Sequence, residues 1–421
     1  MARVLIVGLN YAPEPVGIGP YTTGLAEALA ARGHTVASVS ARPYYPQWRT
    51  MPGTPRGWTS RDENGVSITR CPIYVPARPG GAKRIVHLAS FALSAALPAW
   101  RRALSRAGRP EVVVCVAPAL LSVPVAWIAA KLAGARLWIH VQDFEVEAAL
   151  ATGLVGQDGA LARLARGFEN AVLRLADRVS TISPQMAARL VAKGVAPGRV
   201  VEIRNWADAR FAAPGDGGAA YRAEWRLGSR CVALYSGNIA NKQGIDTVIE
   251  AAARLRHRDD LAFVICGEGP NRAHLEALAA EAPNVRFADL QPAARMGELL
   301  AMAEIHLLPQ IAGAADLVLP SKLTNMLASG RPVVATALAG TGLHAEVEGC
   351  GVLVPPGDAA ALAAAVGALV DDAASRARLG AAARQRAAER WAKAAVIDRF
   401  EAALAELLAE RAGPAAASAV R

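Results

Sequence analysis

Residues 231–255 read CVALYSGNIANKQGIDTVIEAAARL. An apolar, β-rich run ends in a turn from Gly237 to Gly244, and an Ala-rich stretch with helical spacing follows it. This order predicts a parallel strand that enters a helix through a glycine-containing turn. The backbone N–H groups of such a turn suit the oxygens of a diphosphate, and the adjacent Lys242 ammonium neutralises charge. We therefore predict a phosphate-binding turn that includes Gly237, Asn238 and Lys242, with a solvated loop charge as the alternative for Lys242.

The same alternation of short apolar runs and longer helical stretches continues along almost the whole chain. It predicts an α/β protein with parallel sheets and helical crossovers. A Gly-rich stretch poor in β-branched residues divides this pattern into two doubly wound, Rossmann-like domains. The predicted organisation is an N-terminal domain over 1–207, a linker over 208–229, a C-terminal domain over 230–390, and a helix and tail over 391–421 that cross back to the first domain. The predicted strands are RVLIVG, TVASVSA, VSITRC, EVVVCVA, RLWIHVQ, RVSTIS and RVVEIRN, followed by CVALYSG, LAFVICG, VRF, IHLLP, PVVAT and GVLVP.

Length and composition limit the class of protein. With 421 residues, 53% hydrophobic and 19% charged, the chain exceeds what one core usually fills, and it is neither disordered nor fibrous. The net charge of +10 favours anionic partners such as phosphates, nucleic acid or acidic lipid, without choosing among them. Five widely spaced cysteines indicate neither a disulfide framework nor a zinc site, and they favour a reducing compartment. The apolar run near the N-terminus is too short for a signal peptide and is predicted to be the first strand.

One segment, residues 112–130, is uncharged over about the length that a bilayer requires. Pro118 and Pro124 divide it into a β-branched run and a later apolar run, and a further strand-like run follows. We interpret the segment as part of a buried strand–helix–strand unit, with a membrane span as the alternative.

Two further segments of the second domain carry groups that suit the same phosphates. Gly267 and Glu268 lie in the GEGP turn after the predicted strand FVIC. Ser321 stands at the start of a predicted helix, where free N–H groups, its hydroxyl and the Lys322 ammonium address the phosphates from another side. Asn325 comes one turn later, where we expect the nucleotide ribose.

In the N-terminal domain, Gly17 and Gly19 form a Gly-x-Gly turn before a predicted helix. Such a turn favours an anionic or hydroxyl-rich ligand, and a simple tight turn is the alternative. The loop lacks the third glycine of a dinucleotide fingerprint, and SARPYYPQW stands where a ribose-binding carboxylate would be expected.

Polar residues also follow the predicted strand RLWIH. The carboxyl ends of parallel strands face the crevice in which such sheets bind ligands. We therefore predict that His140 or Asp143 contacts a donor sugar or orients an acceptor hydroxyl. For His140 the alternative is a satisfied structural hydrogen bond.

The stretch 81–110 has basic residues on both sides of a sixteen-residue apolar run. This pattern is typical of an interfacial helix on an anionic bilayer. In that case the side chains in contact with acyl chains are Ile85, Leu88, Phe91, Leu93 and Trp100. A buried crossover helix is the alternative.

Four segments together resemble a known family. NYAPEPVGIGPYT, SGNIANKQG, GEGP and SKLTNMLASGRPV, in this order, are similar to the GT-B glycosyltransferases of family 4, and the match extends over essentially the whole chain. More narrowly, PYYPQW, CPIYVP, HVQDFEVEA and GAADLVLPSKLTNMLASG resemble the WcaI-type family of colanic-acid exopolysaccharide synthesis. The resemblance implies two Rossmann-like domains that face a central cleft.

The resemblance also implies a retaining transfer from a nucleotide sugar, bound mainly by the C-terminal domain, to an acceptor bound mainly by the N-terminal one. It implies no metal and no cofactor, because Lys242 and Lys322 neutralise the departing diphosphate. Many family members carry two glutamates eight positions apart. Here the second aligns with Asn325, which we assign to the ribose, and the first falls beside Asp316, which we place near the sugar.

We therefore predict a metal-independent glycosyltransferase, a hexosyltransferase, that is peripheral on the cytoplasmic, inner face of the plasma membrane. Its predicted partners are a nucleotide sugar, a lipid-linked glycan acceptor in exopolysaccharide or surface-glycan biosynthesis, and an anionic membrane surface, but no nucleic acid. The narrower resemblance implies GDP-fucose as the donor. Two alternatives stay open: a sugar-nucleotide epimerase of the same fold, and a non-catalytic scaffold that binds a nucleotide sugar.

Overall fold

The computed structural model describes residues 1–15, 17–77, 80–147, 159–207, 218–312 and 319–412, and for residues 242, 293, 411 and 412 it describes the backbone alone. The chain divides into two compact units. The first unit combines Met1–Arg204 with Ile397–Arg421, and the second consists of Asn205–Val396.

The first unit contains an eight-stranded sheet of described residues in the order β3-β4-β2-β1-β5-β6-β7-β8. Its strands are β1 (Arg3–Gly8), β2 (Thr35–Ala41), β3 (Thr59–Glu63), β4 (Val66–Cys71), β5 (Val112–Ala117), β6 (Arg136–Val141), β7 (Arg178–Thr181) and β8 (Val200–Glu202). Apart from the antiparallel pair of β3 and β4, neighbouring strands are parallel. The strand order reverses between β1 and β5, and in such sheets ligands bind beyond the carboxyl ends at this reversal.

The helices of the first unit cover both faces of this sheet, as parallel connections require. They are α1 (Gly19–Ala31), α2 (Gly81–Leu104), α3 (Val123–Ala133), α4 (Ala160–Arg174) and α5 (Pro184–Ala192). The segment 112–130 forms β5, a short 3-10 turn at Leu120–Ser122 and most of α3, so it is the predicted buried strand–helix unit. No helix among the described residues is long and apolar enough to cross a membrane.

The edge strand β3 is absent from the predicted strands. Its sequence TSRDE has no apolar residue, and three of its five side chains are exposed, so it lacks the apolar pattern of a core strand. Pairing with β4 holds it in place, in a hairpin whose Asn64-Gly65 turn has positive φ at both residues. An Asn-Gly pair between strands is a strong hairpin signal and was the available clue.

Helix α2 lies within the stretch predicted to be interfacial, and it is a crossover helix packed on the sheet. Phe91 is fully buried in the core of the unit and Leu88 is buried beside it, so the prediction that these two face acyl chains is wrong. Trp100 is half-buried, and its Nε1 donates to the carbonyl oxygen of Val125 at 3.1 Å. Ile85 and Leu93 are exposed, as the interfacial interpretation requires.

The second unit contains a six-stranded, fully parallel sheet of described residues in the order β11-β10-β9-β12-β13-β14. Its strands are β9 (Cys231–Ser236), β10 (Leu261–Cys266), β11 (Val285–Ala288), β12 (Ile305–Leu308), β13 (Val333–Thr336) and β14 (Gly351–Val354). Read along the chain this is the order 3-2-1-4-5-6 of a Rossmann sheet, with its reversal between β9 and β12.

The helices of the second unit are α6 (Ala219–Glu224), α7 (Ile245–Arg254), α8 (Arg272–Leu278), α9 (Met296–Met302), α10 (Lys322–Ala328), α11 (Gly342–Val347), α12 (Ala359–Asp371) and α13 (Ala373–Trp391). Helix α6 lies in the segment assigned to a linker. Tyr221 and Trp225 are buried in the core of the second unit, so this part of the segment is structural, although its high Gly content hides the helix. Residues 208–217 of the predicted linker lie outside the described residues.

The last helix, α14 (Lys393–Ala412), begins in the second unit and belongs to the first from Ile397 onward. The Phe400 ring stacks on the buried Trp138 of β6, with the two centroids 4.5 Å apart. The side chain of Arg32 pairs with Asp398 at 2.6 Å, and that of Arg178 with Glu410 at 2.9 Å. These contacts confirm the predicted return of the C-terminal helix to the first domain. The predicted class, two doubly wound Rossmann-like domains, is also confirmed.

Candidate active site

Two glycine turns meet at the carboxyl ends of β9 and β10. The backbone N–H of Gly237 donates to the Cys266 carbonyl at 2.9 Å, and the N–H of Ile239 donates to the Glu268 carbonyl at 2.8 Å. A Cβ at Gly267 would lie 1.9 Å from the carbonyl oxygen of Gly237. The sequence therefore folds this way only because glycine leaves room for one backbone against the other.

Lys322, the first residue of α10, reaches the turn at Gly237. Its Nζ atom lies 3.8 Å from the centroid of the Tyr235 ring, and a Cβ at Gly237 would lie 3.5 Å from Nζ. Lys322 as a whole residue is half-buried, but its Nζ atom is buried and has no hydrogen-bond partner among the described residues. Burial lowers the pKa of Lys322 to about 7.

A buried ammonium without a counter-charge is costly, because the protein does not replace the water that it loses. The cation–π contact with Tyr235 offsets part of this cost. The Tyr235 hydroxyl donates to the Asn238 carbonyl at 2.6 Å, which fixes both the ring and the turn. An anion at the turn would supply the missing partner of Lys322. The backbone N–H groups of Gly237 and Gly267 do not face such an anion, contrary to the sequence prediction, because they donate to the carbonyls of Cys266 at 2.9 Å and Ala288 at 3.0 Å.

Arg272, which the sequence reasoning did not single out, holds the GEGP turn. Its Nη1 donates to the Gly267 carbonyl at 3.1 Å and pairs with the carboxylates of Glu268 at 3.3 Å and Asp289 at 2.8 Å. The predicted donor-binding residue Glu268 is exposed, so its carboxylate stands at the rim of the turn. An arginine two residues after the GEGP turn, at the start of the following helix, was the only signal for this role.

The other predicted residues of this domain that the structure describes lie at α10 and in the turn before α7. Ser321 is exposed and precedes α10, as predicted, and its carbonyl accepts the Thr324 hydroxyl at 2.9 Å. Asn325 lies half-buried on the same helix, one turn further. Lys242 lies in the turn Asn241–Gln243, but its side chain is outside the described residues, as is all of Asp316.

In the first unit, Glu14 joins the loops that follow β1 and β2. Its Oε1 accepts the backbone N–H groups of Tyr44 at 2.9 Å and Tyr45 at 3.0 Å, and its Oε2 accepts the Asn10 amide at 2.7 Å. Burial raises the pKa of Glu14, although these hydrogen bonds oppose the shift. The sequence reasoning missed this residue, whose signal was an acid inside a Pro-rich, apolar loop.

The predicted Gly17 and Gly19 lie against that framework. Gly17 has a φ of 71°, and a Cβ there would lie 3.2 Å from Cε1 of Tyr45. Gly19 is the first residue of α1, and a Cβ there would lie 3.1 Å from the Glu14 carbonyl oxygen. Both glycines thus serve a close approach of loop and helix at the carboxyl end of β1.

His140, near the carboxyl end of β6, is buried with both ring nitrogens engaged. Nδ1 lies 2.8 Å from Ser180 Oγ, and Nε2 lies 2.9 Å from the amide nitrogen of Gln142. Because that amide nitrogen only donates, Nε2 accepts and Nδ1 carries the proton. Burial lowers the pKa of His140 to about 4, so the ring is neutral near pH 7. This geometry fits the alternative of a satisfied structural histidine. Asp143 follows β6 and is half-buried.

A second acid near this edge is Glu145, four residues after the end of β6. Its Oε2 accepts the backbone N–H of Leu120 at 3.0 Å, and its buried Oε1 has no hydrogen-bond partner in the described part of the chain. Burial raises the pKa of this carboxyl. Lys193 links Glu147, two residues after Glu145, to Glu169 of α4. Its Nζ lies 2.8 Å from the Glu147 carboxylate and 2.5 Å from that of Glu169.

Comparison with known proteins gives consistent matches over both units. Residues 16–206 match the family described as Glycosyl transferase 4-like domain, and residues 230–372 match Glycosyl transferases group 1. The colanic acid biosynthesis glycosyl transferase WcaI of Escherichia coli (strain K12) is 42% identical over 86% of this chain and 91% of its own length. The chain belongs to glycosyltransferase family 4.

Solved structures agree with the fold of this glycosyltransferase. Sucrose-phosphate synthase from Thermosynechococcus elongatus superposes with a TM-score of 0.74 at 22% identity, covering 97% of this chain and 100% of its own. HepE of Anabaena, in complex with UDP and glucose, superposes with a TM-score of 0.68 at 15% identity, covering 96% of this chain and 99% of its own.

In this glycosyltransferase Gly237, Asn238, Gly267 and Lys322 lie close together in the second unit. The predicted residues His140 and Asp143 belong to the first unit. No group of three His, Cys, Asp or Glu side chains among the described residues could hold a metal ion. Metal independence and the roles of the individual residues stay predictions.

Proposed function

We propose that this glycosyltransferase moves a sugar from a nucleotide-diphosphate donor to a lipid-linked oligosaccharide during exopolysaccharide biosynthesis. The transfer retains anomeric configuration and uses no metal ion or cofactor. The identity to a colanic acid biosynthesis enzyme supports the pathway, and the narrower sequence resemblance supports GDP-fucose as the donor.

The observation that carries the proposal is the buried Nζ atom of Lys322, unpaired among the described residues and directed at the Gly237 turn. When the bond from sugar C1 to the donor phosphate breaks, negative charge develops on the diphosphate. A positioned ammonium stabilises that charge most strongly where water is excluded. Lys242, in the same loop, supplies the second positive charge in this proposal, and together they replace a metal ion.

The remaining chemistry is a proton transfer. The acceptor hydroxyl oxygen forms a bond to C1 on the face from which the diphosphate departs, and the departing phosphate oxygen takes the hydroxyl proton. No protein base is then required, which agrees with the engaged ring nitrogens of His140. His140 and Gln142 shape the carboxyl edge of β6, where Asp143 orients the acceptor hydroxyl.

For the donor, Asn325 binds the ribose, Asp316 lies near the sugar, and Ser321 and Glu268 flank the diphosphate turns. Gly17 and Gly19 present backbone N–H groups of the first unit toward the donor. The loop that carries them is held by Glu14, which makes three hydrogen bonds at its base.

The lipid-linked acceptor places the enzyme on the cytoplasmic, inner face of the plasma membrane. The exposed side of α2 supports this placement: Ile85, Val86 and Leu93 are exposed there, between Lys83 and Arg84 at one end and Arg101 and Arg102 at the other. Such a helix side suits the boundary between headgroups and acyl chains of an anionic bilayer.

A panel of UDP-, GDP-, dTDP- and ADP-sugars in a thermal-shift assay tests the donor. A donor present at about 100 times its Kd adds about 2.7 kcal/mol to the free energy of unfolding, and we expect GDP-fucose to give the largest shift. Nucleotide release is then followed with and without a lipid-linked acceptor, in EDTA. Release that depends on the acceptor and persists in EDTA supports the proposal. Turnover without acceptor would indicate an epimerase, and binding without any turnover would indicate a scaffold.

A further inference from the structure

A groove of about 340 Å³ lies in the first unit between the sheet and the last turns of α2. Helix α2 connects the parallel strands β4 and β5, so it runs back along the sheet and ends near their amino ends. The strand residues that line the groove, such as Leu5, Ala37 and Thr69, lie within the strands, whereas Gly17 and Gly19 follow the carboxyl end of β1. Its volume is within the range of small-molecule sites.

Pro98 builds one wall of this groove. Proline has no N–H, so the carbonyl four residues earlier, that of Ser94, loses its helical donor. The indole Nε1 of Trp58 donates to this carbonyl at 3.0 Å instead. Trp58 is thereby fixed over the groove although its side chain stays half exposed, at 51%. Both Pro98 and Trp58 line the groove.

The floor of the groove is polar where a core would be apolar. Strand β4 places Ser67 beside Ala37 and Thr69 beside Val39 of β2, so all four share the face that α2 covers. The Thr69 hydroxyl pairs with that of Ser60 at 3.0 Å. Most of the sheet face below α2 is apolar, but the part that forms the groove floor carries the hydroxyl groups of Ser60, Ser67 and Thr69.

Two arginines complete the groove. Arg101 and Arg102 both line it, and neither guanidinium forms an ion pair or hydrogen bond with a described residue. None of the lining residues is acidic. Asp62, two residues after Ser60 on β3, stands outside the lining. The groove therefore offers two unpaired cations and a hydroxyl floor to an anion, and guanidinium groups match phosphate oxygens well.

An apolar stripe runs from this groove along the outer side of α2. Val86, Leu93, Leu97 and Leu104 are spaced by seven, four and seven residues, which places them in one line along the helix. All four are exposed, Leu93 by 78%, on the side opposite the buried Phe91 and Ala95. Leu97 belongs to both the stripe and the groove. The groove and the stripe are therefore continuous, so that one amphiphilic molecule can place a phosphate in the groove and a hydrocarbon chain on the stripe.

We propose that this groove binds the phosphate of an anionic phospholipid whose acyl chains lie along the stripe of α2. The proposal rests on the membrane location proposed above and adds a defined headgroup site to it. Such a site would bind one lipid molecule specifically, whereas a basic surface attracts any anionic membrane.

The test uses the 421-residue chain and dihexanoyl phosphatidylglycerol below its micelle concentration. Binding is followed by the change in tryptophan fluorescence, and the part of this change that is lost in Trp58→Phe is assigned to Trp58. We expect saturable binding by the wild type. Arg102→Gln should weaken it by about tenfold or more, because a charge-assisted hydrogen bond to phosphate is lost. Arg106→Gln is the matched control, since it removes one exposed arginine beyond the groove, and it should leave the binding unchanged.

Glycerol 1-phosphate and inorganic phosphate separate the lipid from a free anion. We expect both to bind more weakly than the lipid, and Leu97→Ser should weaken the lipid alone. Equal binding of inorganic phosphate and lipid, unaffected by Leu97→Ser, would overturn the lipid assignment. Equal effects of Arg102→Gln and Arg106→Gln would overturn the groove as the site.

Co-sedimentation with phosphatidylcholine vesicles, with and without phosphatidylglycerol, separates this inference from the membrane location itself. If wild type ignores both vesicles, the proposed membrane location fails. If wild type binds the anionic vesicles and both arginine variants lose the same factor of about five, general surface attraction explains the binding and the groove proposal fails. A much larger loss for Arg102→Gln, with an unchanged Tm, supports the groove.

Discussion

The Nζ atom of Lys322 lies 3.8 Å from the centre of the Tyr235 ring, and no other described residue offers it a hydrogen bond. The aromatic face stabilises the cation without neutralising it. The ammonium is therefore poised for an anion that arrives at the adjacent Gly237 turn, and removal of its charge should affect function and folding in opposite directions.

Lys322→Met keeps the length of the side chain and removes the charge. We expect turnover to fall about a hundredfold or more, because a buried cation at a developing diphosphate supplies a few kcal/mol at the transition state. The Tm should stay equal or rise, since an unpaired buried charge is lost. Steady-state kinetics beside a thermal melt measures both, and near wild-type turnover would remove Lys322 from the chemistry.

The same lysine makes a prediction for stability against pH. Burial lowers its pKa to about 7, from the usual 10.5. Between these values the unfolded chain holds a proton that the folded protein does not, so this group makes the free energy of unfolding rise with pH. The Tm advantage of Lys322→Met over wild type should therefore be largest below pH 7 and shrink toward pH 10. A gap that is independent of pH would contradict the buried, titrating lysine.

Binding of a nucleoside diphosphate should restore the charge on Lys322. An anion beside the ammonium favours its protonated form and raises its pKa, so binding near pH 8 takes up a proton. Calorimetry in two buffers of different ionisation enthalpy measures that uptake. The wild type should show a buffer-dependent heat, and Lys322→Met should lose that dependence. Equal buffer dependence in both proteins would place the proton elsewhere.

Gly267→Ala tests the contact of the two glycine turns. Its Cβ would lie 1.9 Å from the Gly237 carbonyl oxygen, and a backbone atom cannot move aside as a flexible side chain does. We expect a loss of roughly 2–4 kcal/mol in the free energy of unfolding, and loss of donor affinity in what remains folded. Gly57→Ala is the matched control, because a Cβ there has open space around it. A Gly267→Ala protein as stable as this control would contradict the described contact.

Phe400→Ala tests the return of α14 to the first unit. Phe400 is fully buried against Trp138, and truncation of such a ring costs about 3–5 kcal/mol. The neighbouring Arg399 is exposed, so Arg399→Ala should change the free energy of unfolding by less than about 0.5 kcal/mol. Denaturant melts of both variants give the comparison, and similar midpoints would mean that the stacked pair contributes little.

The apolar strands could be predicted from sequence because a central parallel strand is buried on both faces. Every residue of VVVCVA in β5 is buried, for example, so composition alone marks the strand. The polar strand β3 could not be found in this way, since its partner β4 determines it. The buried side of helix α2 could not be predicted for a related reason. Phe91 and Leu93 are both apolar, and only the fold decides which of them faces the core.

For the candidate site, the glycines and lysines of the second unit could be singled out from sequence because phosphate chemistry restricts residue type, and their roles stay predictions. Glu14 and Arg272 could not be singled out in this way, because each acts by holding a loop through backbone groups. Glu14 accepts the N–H groups of Tyr44 and Tyr45, 30 and 31 residues away, and Arg272 donates to the carbonyl of Gly267. His140 shows the converse. From the sequence alone, a polar residue at a strand end is a candidate for ligand binding. Only the fold shows that Ser180 and Gln142 already form hydrogen bonds with both ring nitrogens of His140.

The helix α14 also determines the order in which the protein can be completed during translation. Asn205–Val396 is one continuous segment, whereas the first unit needs residues from Ile397 onward. As the chain leaves the ribosome, the second unit is therefore available in full while Trp138 still lacks the Phe400 ring and Arg178 still lacks Glu410. Domains usually finish folding in the order of their synthesis. In this protein the unit that is synthesised first is completed last.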